Sequence, residues 1–235
     1  MLTPLQEIFI LLEDEKVVPL YRINRWGKKA NGVLAKFKNL SYAEKIKKED
    51  EFYYKITEKG EREFDKILKP LKETGKWDGK WRLVIFDIPE VNRDVRDRLR
   101  RALTKMGMGL LQASVWISPN DIKSEIEEIK NRLKLQNKIK FFEVSRTNGI
   151  DNTIIQKSWN LPELEDEYKL FNLSAERILK NINKDTNPKY SAKKLIFQYA
   201  LILKKDPIMP WEFRRKDHYR NKANEIYKQL RTYVV

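Results

Sequence analysis

The sequence predicts an α+β protein in three parts: a small helical domain with a β-hairpin (residues 1–72), a β-α-β domain (80–145) and a mainly helical domain (150–235). Three observations predict it. An apolar strand near the middle of the chain runs straight into an arginine-rich amphipathic helix. A cationic stretch near the amino end precedes two strand-like segments, and helical spacing of apolar residues dominates after residue 150.

The amino-terminal part opens with an apolar helix that ends at the acidic run Glu13 to Glu15. Arg22 to Lys38 then carries six cations and no acid. Apolar residues recur within it at helical spacing, so a helix there buries one face and presents cations on the other. Two short strands, Tyr42 to Lys47 and Phe52 to Thr57, flank a polar loop and predict a hairpin.

Helices followed by a hairpin and the phrase ITEKG at residues 56–60 resemble the winged helix-turn-helix domain, whose third helix enters the major groove of DNA. The resemblance implies that the cationic helix and the hairpin, or wing, bind DNA. The residues expected to contact DNA are Arg22, Arg25, Lys28, Lys29, Asn31, Lys36, Lys38, Lys45, Lys47 and Lys48. The alternative is a helical cap or dimerisation domain whose cations meet only solvent.

A polar segment with two glycines, Leu71 to Lys80, predicts a linker. The central domain follows. Arg82 to Ile88 has the composition of a strand, Pro89 ends it, and Asn92 is placed to cap a helix whose apolar face recurs every three or four residues. Leu110 to Ser118 is then predicted as one extended segment.

A second amphipathic helix from Ile122 to Leu133 and a last strand from Ile139 to Val144 complete the central domain. Two β-α-β halves that share one antiparallel sheet form the ferredoxin-like arrangement. The sequence therefore predicts a ferredoxin-like central domain.

The central segment resembles the middle domain of the phenylacetic-acid degradation repressor family, the PaaX-type transcriptional regulators. That family has a strand, the letters IPE, an arginine-rich helix and a G-L-x-x-S-V-W-I-S-P strand. The segment is also similar to the small CRISPR adaptation subunit. The residues that match this subunit are Phe86, Asp87, Gln112, Ser114, Val115 and Trp116.

Two carboxy-terminal segments extend the resemblance to the repressor family over the whole chain, whereas the CRISPR subunit is one short domain. The first segment matches at Trp159, Asn160, Leu161, Leu164, Tyr168 and Phe171. The second matches at Asp206, Pro207, Met209 and Pro210. Helices are predicted past Tyr168 and Phe171, again from about Ser174 to Ile182, and from Ala192 to Lys204.

Asp87 is the acid with a catalytic alternative. In the CRISPR subunit the equivalent carboxylates of two protomers can hold Mg²⁺, which favours oxygen ligands. One carboxylate cannot make such a site, and the neighbouring helix is rich in arginine. We therefore expect no catalytic residue, metal or cofactor, and expect Asp87 to cap the following helix or to pair with an arginine. The chain has no cysteine, which excludes disulfides and thiolate metal sites.

A net charge of +15 predicts a polyanionic partner. The favoured hypothesis is a DNA-binding transcriptional regulator that binds double-stranded DNA. The family resemblance implies a homodimeric repressor and an acyl-CoA effector. With neither a signal peptide nor a membrane-spanning run in the sequence, we expect a cytoplasmic protein. The alternatives are a metal-dependent nuclease or DNA-integration subunit, and an adaptor whose central sheet only dimerises.

Overall fold

The computed structural model describes residues 2–72, 77–145, 150–206, 209–210, 213 and 218–234. Helices and two antiparallel sheets confirm the predicted α+β class. The chain divides into two compact units: residues 1–72, 170–201 and 221–235 form the first, and residues 73–169 and 202–220 form the second. Residues 150–235, predicted as one helical domain, are thus shared between the two units.

The amino-terminal part of the first unit alternates helices with a small sheet. Its elements are α1 (Pro4–Glu15), β1 (Val17–Pro19), α2 (Leu20–Ile23), α3 (Lys28–Asn39), β2 (Ala43–Lys48), β3 (Glu51–Ile56) and α4 (Glu58–Leu68). Thr3 and Gln6 form a capping box that starts α1. The sheet has the order β1-β3-β2, and the short β1 was not predicted from the sequence.

Two predicted boundaries in this part are wrong. Arg22 to Lys38 is not one helix, because Gly27 at φ 59° separates α2 and a 3₁₀ turn from α3. The strands of the hairpin also extend into the predicted loop, where Lys48 pairs with Glu51 across a two-residue turn. Glu49 adopts φ 52° in that turn.

Aromatic rings form the centre of the first unit. Phe9 of α1 lies 5.2 Å from Phe37 of α3 and 5.3 Å from Phe64 of α4, measured between ring centroids. Phe197, far along the sequence, lies 5.3 Å from Phe64. Lys193, one helical turn earlier, forms ion pairs with Glu13 and Asp14 at the end of α1. One carboxy-terminal helix (Pro188–Lys205) therefore contributes to the core of the amino-terminal domain.

The central domain has the elements β4 (Trp81–Phe86), α5 (Arg93–Lys105), β5 (Gly109–Gln112), β6 (Val115–Ser118), α6 (Lys123–Leu133) and β7 (Ile139–Val144). Its sheet has the order β5-β6-β4-β7 with every neighbour antiparallel, which is the ferredoxin-like arrangement. Val84, Trp116 and Phe141 share one face of the sheet and pack into the same core as Leu99 and Ile126 of the two helices.

Two expectations for the central domain are corrected. Leu110 to Ser118 is not one strand but the hairpin β5–β6, since strand-like composition continues through the turn at Ala113 and Ser114. Asn92 precedes α5, yet its side chain makes no capping hydrogen bond. In the segment predicted as a linker, which stays a prediction, the Trp77 indole N–H donates to the Lys80 carbonyl at 2.9 Å. Gly75 of that linker lies outside the described residues.

The carboxy-terminal helices are α7 (Asn152–Ser158), α8 (Leu161–Asn181), α9 (Pro188–Lys205) and α10 (His218–Arg231). The two helices predicted on either side of Ser174 are one, α8. Trp159 donates its indole N–H to the Gly107 carbonyl at 2.8 Å, and its ring fills the space where a Cβ on Gly109 would stand. In the parts of the chain that the structure describes, no helix has the length and apolarity that a membrane span requires.

Candidate nucleic-acid interface

The exposed face of α3 carries unpaired positive charge. Ala30, Val33, Leu34 and Phe37 are buried, so the cationic side chains between them point outward. Lys28, Lys29, Lys36 and Lys38 are exposed, and none of the four forms an ion pair with a described residue. We call these four lysines, together with Asn31, the α3 surface.

The amino end of α3 is held in place by the segment before it. The Trp26 indole N–H donates to Glu7 of α1 at 2.7 Å, and the Arg25 guanidinium lies 4.0 Å from the centroid of the Trp26 ring. Because Glu7 belongs to α1, this contact couples the start of α3 to the helix behind it. Arg25 stays exposed at the edge of the α3 surface.

Arg22, predicted to contact DNA, serves the fold instead. Its two terminal guanidinium nitrogens donate to the Glu15 carboxylate at 2.5 and 2.8 Å. These hydrogen bonds raise the pKa of Arg22, which stays charged in any case. We therefore leave Arg22 out of the candidate interface. The sequence shows the cation but cannot show that an acid seven residues earlier neutralises it.

The cations of the hairpin β2–β3 have local partners. Lys45 Nζ lies 3.6 Å from the centroid of the Phe52 ring, and Lys48 Nζ lies 5.7 Å from that of Tyr53. Lys47 forms a 3.5 Å ion pair with Asp50 at the tip of the hairpin. These partners hold the wing lysines along the strands, next to an acidic tip. The wing lysines carry less free charge than the α3 surface, and their contact with DNA stays a prediction.

The arginine-rich helix α5 is the second cationic candidate, but three of its five arginines have partners within the protein. Arg96 makes two hydrogen bonds to Glu90, and Arg98 pairs with Asp94. Arg100 donates to the Ala113 carbonyl at 2.8 Å, which supports the β5–β6 turn. The hydrogen bond from Arg96 also lowers the pKa of Glu90, so this pair is charged at neutral pH. Helix α5 is therefore the weaker polyanion site.

Asp87 takes neither of the structural roles expected of it. Its backbone N–H donates to the Lys138 carbonyl at 3.0 Å, while its carboxylate is exposed and bonds to no described side chain or backbone N–H. Arg96 of the following helix pairs with Glu90 instead. Within the described ranges, no three acids or histidines gather in a way that would hold a metal ion.

The two carboxy-terminal segments that resemble the repressor family are joined by a contact between Tyr168 and Asp206 within the second unit. The Tyr168 hydroxyl donates to the buried Asp206 carboxylate at 2.8 Å, and Arg220 Nε lies 3.3 Å from the same carboxylate. Met209 is buried nearby in the sequence, whereas Pro207 lies outside the described residues. The matching residues thus support the fold of this part of the chain.

Among known protein families, the model described as "PaaX protein central Cas2-like domain" matches residues 74–155. No curated protein sequence matches the chain. Among solved structures, the chain is similar to the uncharacterized protein Rv0674 from Mycobacterium tuberculosis, with a TM-score of 0.51 and 16% identity over 88% of this chain and 81% of that one. At that identity the likeness shows the fold alone. Residues 74–155 of the chain therefore match the central Cas2-like domain of PaaX proteins.

Proposed function

We propose that the chain is a DNA-binding transcriptional regulator whose amino-terminal part is a winged helix-turn-helix domain. The order of α1, α2, α3 and the hairpin β2–β3 supports this proposal, since winged helices place their third helix before a two-stranded wing. The match of the central domain to PaaX proteins supports a regulator of transcription, and the proposal places it in the cytoplasm. A repressor is the finer form of the proposal.

The single observation that carries the proposal is the unpaired charge of the α3 surface. Four lysines spread over the exposed side of one helix can neutralise phosphates and release counterions. Asn31, on the same helix, can donate and accept hydrogen bonds at base edges, as recognition helices do in the major groove. The other cationic helix, α5, has acids or backbone carbonyls as partners for three of its arginines.

Replacing Lys28 and Lys29 together by Ala tests the proposal. We expect weaker binding to double-stranded DNA and a slope of log affinity against log salt that is smaller by about one unit for each phosphate that the variant no longer neutralises. Fluorescence anisotropy over a salt series measures both quantities. A matched control replaces Lys123 and Lys138, exposed lysines of the central domain, and removes the same charge. Equal effects of both pairs would place binding outside α3.

We propose a homodimer as the active form, because regulators of this type gain specificity by reading two half-sites. The free edges of the central sheet support it, since an unpaired edge strand can pair with a second chain. The resemblance to PaaX proteins alone supports an acyl-CoA effector. Adding phenylacetyl-CoA to the protein–DNA complex and following its dissociation tests that part, with coenzyme A as the control.

The proposal gives the chain no catalytic residue and no metal cofactor. The alternative, a Mg²⁺-dependent nuclease or integration subunit, depends on Asp87, whose carboxylate belongs to no group of three described acids or histidines that could hold a metal ion. Nothing in the geometry favours this alternative over the regulator. Cleavage assays with and without Mg²⁺, on the wild type and on Asp87→Ala, distinguish the two.

A further inference from the structure

Gly32 lies in the middle of α3 on its exposed side. Glycine is a poor residue for a helix interior, since it loses more backbone freedom on folding than other residues. A glycine there calls for a reason, which can be a close contact inside the protein, a special backbone conformation or a close contact with a ligand.

The first two reasons do not apply to Gly32. A Cβ built on it would have no atom within 4 Å, and its backbone is helical. The other helical glycine of the amino-terminal part, Gly60 of α4, is different. A Cβ on Gly60 would stand 2.2 Å from the Tyr42 carbonyl oxygen, so packing requires a glycine there. No described residue of the first unit packs so close to position 32 that a glycine is required there.

Gly32 lies at the centre of the α3 surface. Lys28 and Lys36 lie four residues before and after it, one helical turn away on either side, and both are exposed and form no ion pair with a described residue. Their side chains are long and can reach phosphates to either side, while the glycine between them leaves the helix backbone uncovered. The position therefore combines attraction of a polyanion with room for close approach.

Resting on the proposed function, we infer that Gly32 is the point of closest approach between α3 and bound double-stranded DNA. A side chain there would hold the helix away from the floor of the groove. Gly32 is thus a positioning residue: the lysines supply the attraction, and the missing Cβ sets the depth at which Asn31 meets base edges.

The test compares Gly32→Ala and Gly32→Leu with the wild type. The probe is a duplex of about 30 base pairs, roughly three helical turns, enriched by the wild-type protein from a random library. Gly32→Ala should raise the thermal midpoint by about 2 °C, because it favours the helix. It should nevertheless weaken binding at least about tenfold, and Gly32→Leu should weaken it further. The salt slope should stay the same because the charge is unchanged, unlike in the Lys28 and Lys29 variant.

Asn224→Ala is the matched control. Asn224 is exposed on α10 in the same compact unit, so this change also favours a helix without altering charge. It should raise the midpoint and leave binding unchanged. Wild-type affinity in Gly32→Ala, or a lower midpoint, would overturn this inference alone. A wild-type protein that enriches no duplex would overturn the proposed function together with it.

Discussion

At the scale of single residues, the structure decides which charges are free and which are used by the fold. Composition predicts Arg22 and Lys28 equally as DNA contacts, because both are cations of one basic stretch. The fold neutralises Arg22 with Glu15, whereas Lys28 forms no ion pair with a described residue. Such ion pairs depend on which side chains meet in the folded chain. Residue type alone could therefore predict the region that binds DNA, but not which residues of that region contact it.

Asp87 shows the same limit. Its place after a strand and before Pro89 is visible in the sequence, but the exposure of its carboxylate is not. Because the carboxylate is exposed and makes no bond to a described group, Asp87→Ala should change the free energy of unfolding by less than about 0.5 kcal/mol. We also expect no Mg²⁺-dependent cleavage of DNA or RNA by the wild type. Cleavage that returns only when Mg²⁺ is restored after chelation, and that disappears in Asp87→Ala, would establish the nuclease alternative.

The contribution of the Asp78–Arg82 ion pair to stability can be tested by changing the pH. Arg82 is buried, and its guanidinium donates to both Asp78 oxygens at 2.8 and 2.5 Å. The hydrogen bond from Arg82 lowers the pKa of Asp78 below its ordinary 3.8. An acid whose pKa is lower in the folded state than in the unfolded state stabilises the fold. This stabilisation is complete at pH values above the unfolded-state pKa, and it is lost as the pH falls through the folded-state pKa.

We therefore expect Asp78→Asn to lower the free energy of unfolding by about 1 kcal/mol at neutral pH, a figure kept small because the Asp78 side chain is 48% exposed. The difference from the wild type should narrow at a second, acidic pH below 3.8, as the pH falls through the lowered folded-state pKa of Asp78. Urea unfolding at both pH values measures it. Asp50→Asn, which changes a fully exposed acid, is the control and should have no effect. If the difference in unfolding free energy between Asp78→Asn and the wild type does not change with pH, the ion pair does not stabilise the fold.

At the scale of elements, the sequence predicts the type of most segments and misplaces several ends. Strand and helix composition locate β4, α5, α6 and β7, because each has a continuous period of apolar residues. The break before α3, the β5–β6 turn and the continuity of α8 were missed. Each depends on backbone geometry at one or two residues that the hydrophobic period does not report. Gly27 was the available signal for the first, as a glycine inside a cationic helical pattern.

Gly27→Ala tests whether this glycine causes the break. Gly27 has φ 59° and ψ −142°, a region that residues with a Cβ avoid, and no atom lies within 4 Å of a Cβ built there. The cost should therefore come from the backbone alone, about 1 to 3 kcal/mol of unfolding free energy by denaturant titration. Gly32→Ala in the neighbouring helix should have the opposite sign. A Gly27→Ala variant as stable as the wild type would show that another feature ends the preceding turn.

At the scale of the whole molecule, the sequence order hides which elements share a core. Phe197 packs on Phe64 although more than a hundred residues separate them, and Lys193 pairs with the end of α1. A sequence read from end to end predicts three consecutive domains, whereas the chain returns to its first unit twice. Periodicity reveals that a helix has an apolar face but not which core receives that face.

The proposed dimer depends on which edge of the central sheet pairs with a second chain. The two edge strands are β5 and β7. The register of β5 is interrupted between Leu110 and Gln112, and such an irregularity discourages pairing, whereas β7 is a regular strand of six residues. Phe142 on β7 is also a large apolar side chain that is 48% exposed. We therefore expect β7 to pair with the β7 of a second copy.

Sedimentation equilibrium should give a mass twice the 28.2 kDa of one chain at micromolar concentration. Phe142→Glu should convert the dimer to a monomer, because two carboxylates would meet across the paired edges. The thermal midpoint of this monomeric variant should stay close to that of the wild type. Leu110→Glu, the matched change on β5, should stay dimeric. If Leu110→Glu dissociates the dimer and Phe142→Glu does not, β5 is the pairing edge. A wild-type mass of 28.2 kDa with and without DNA would instead remove dimerisation from the proposed mechanism.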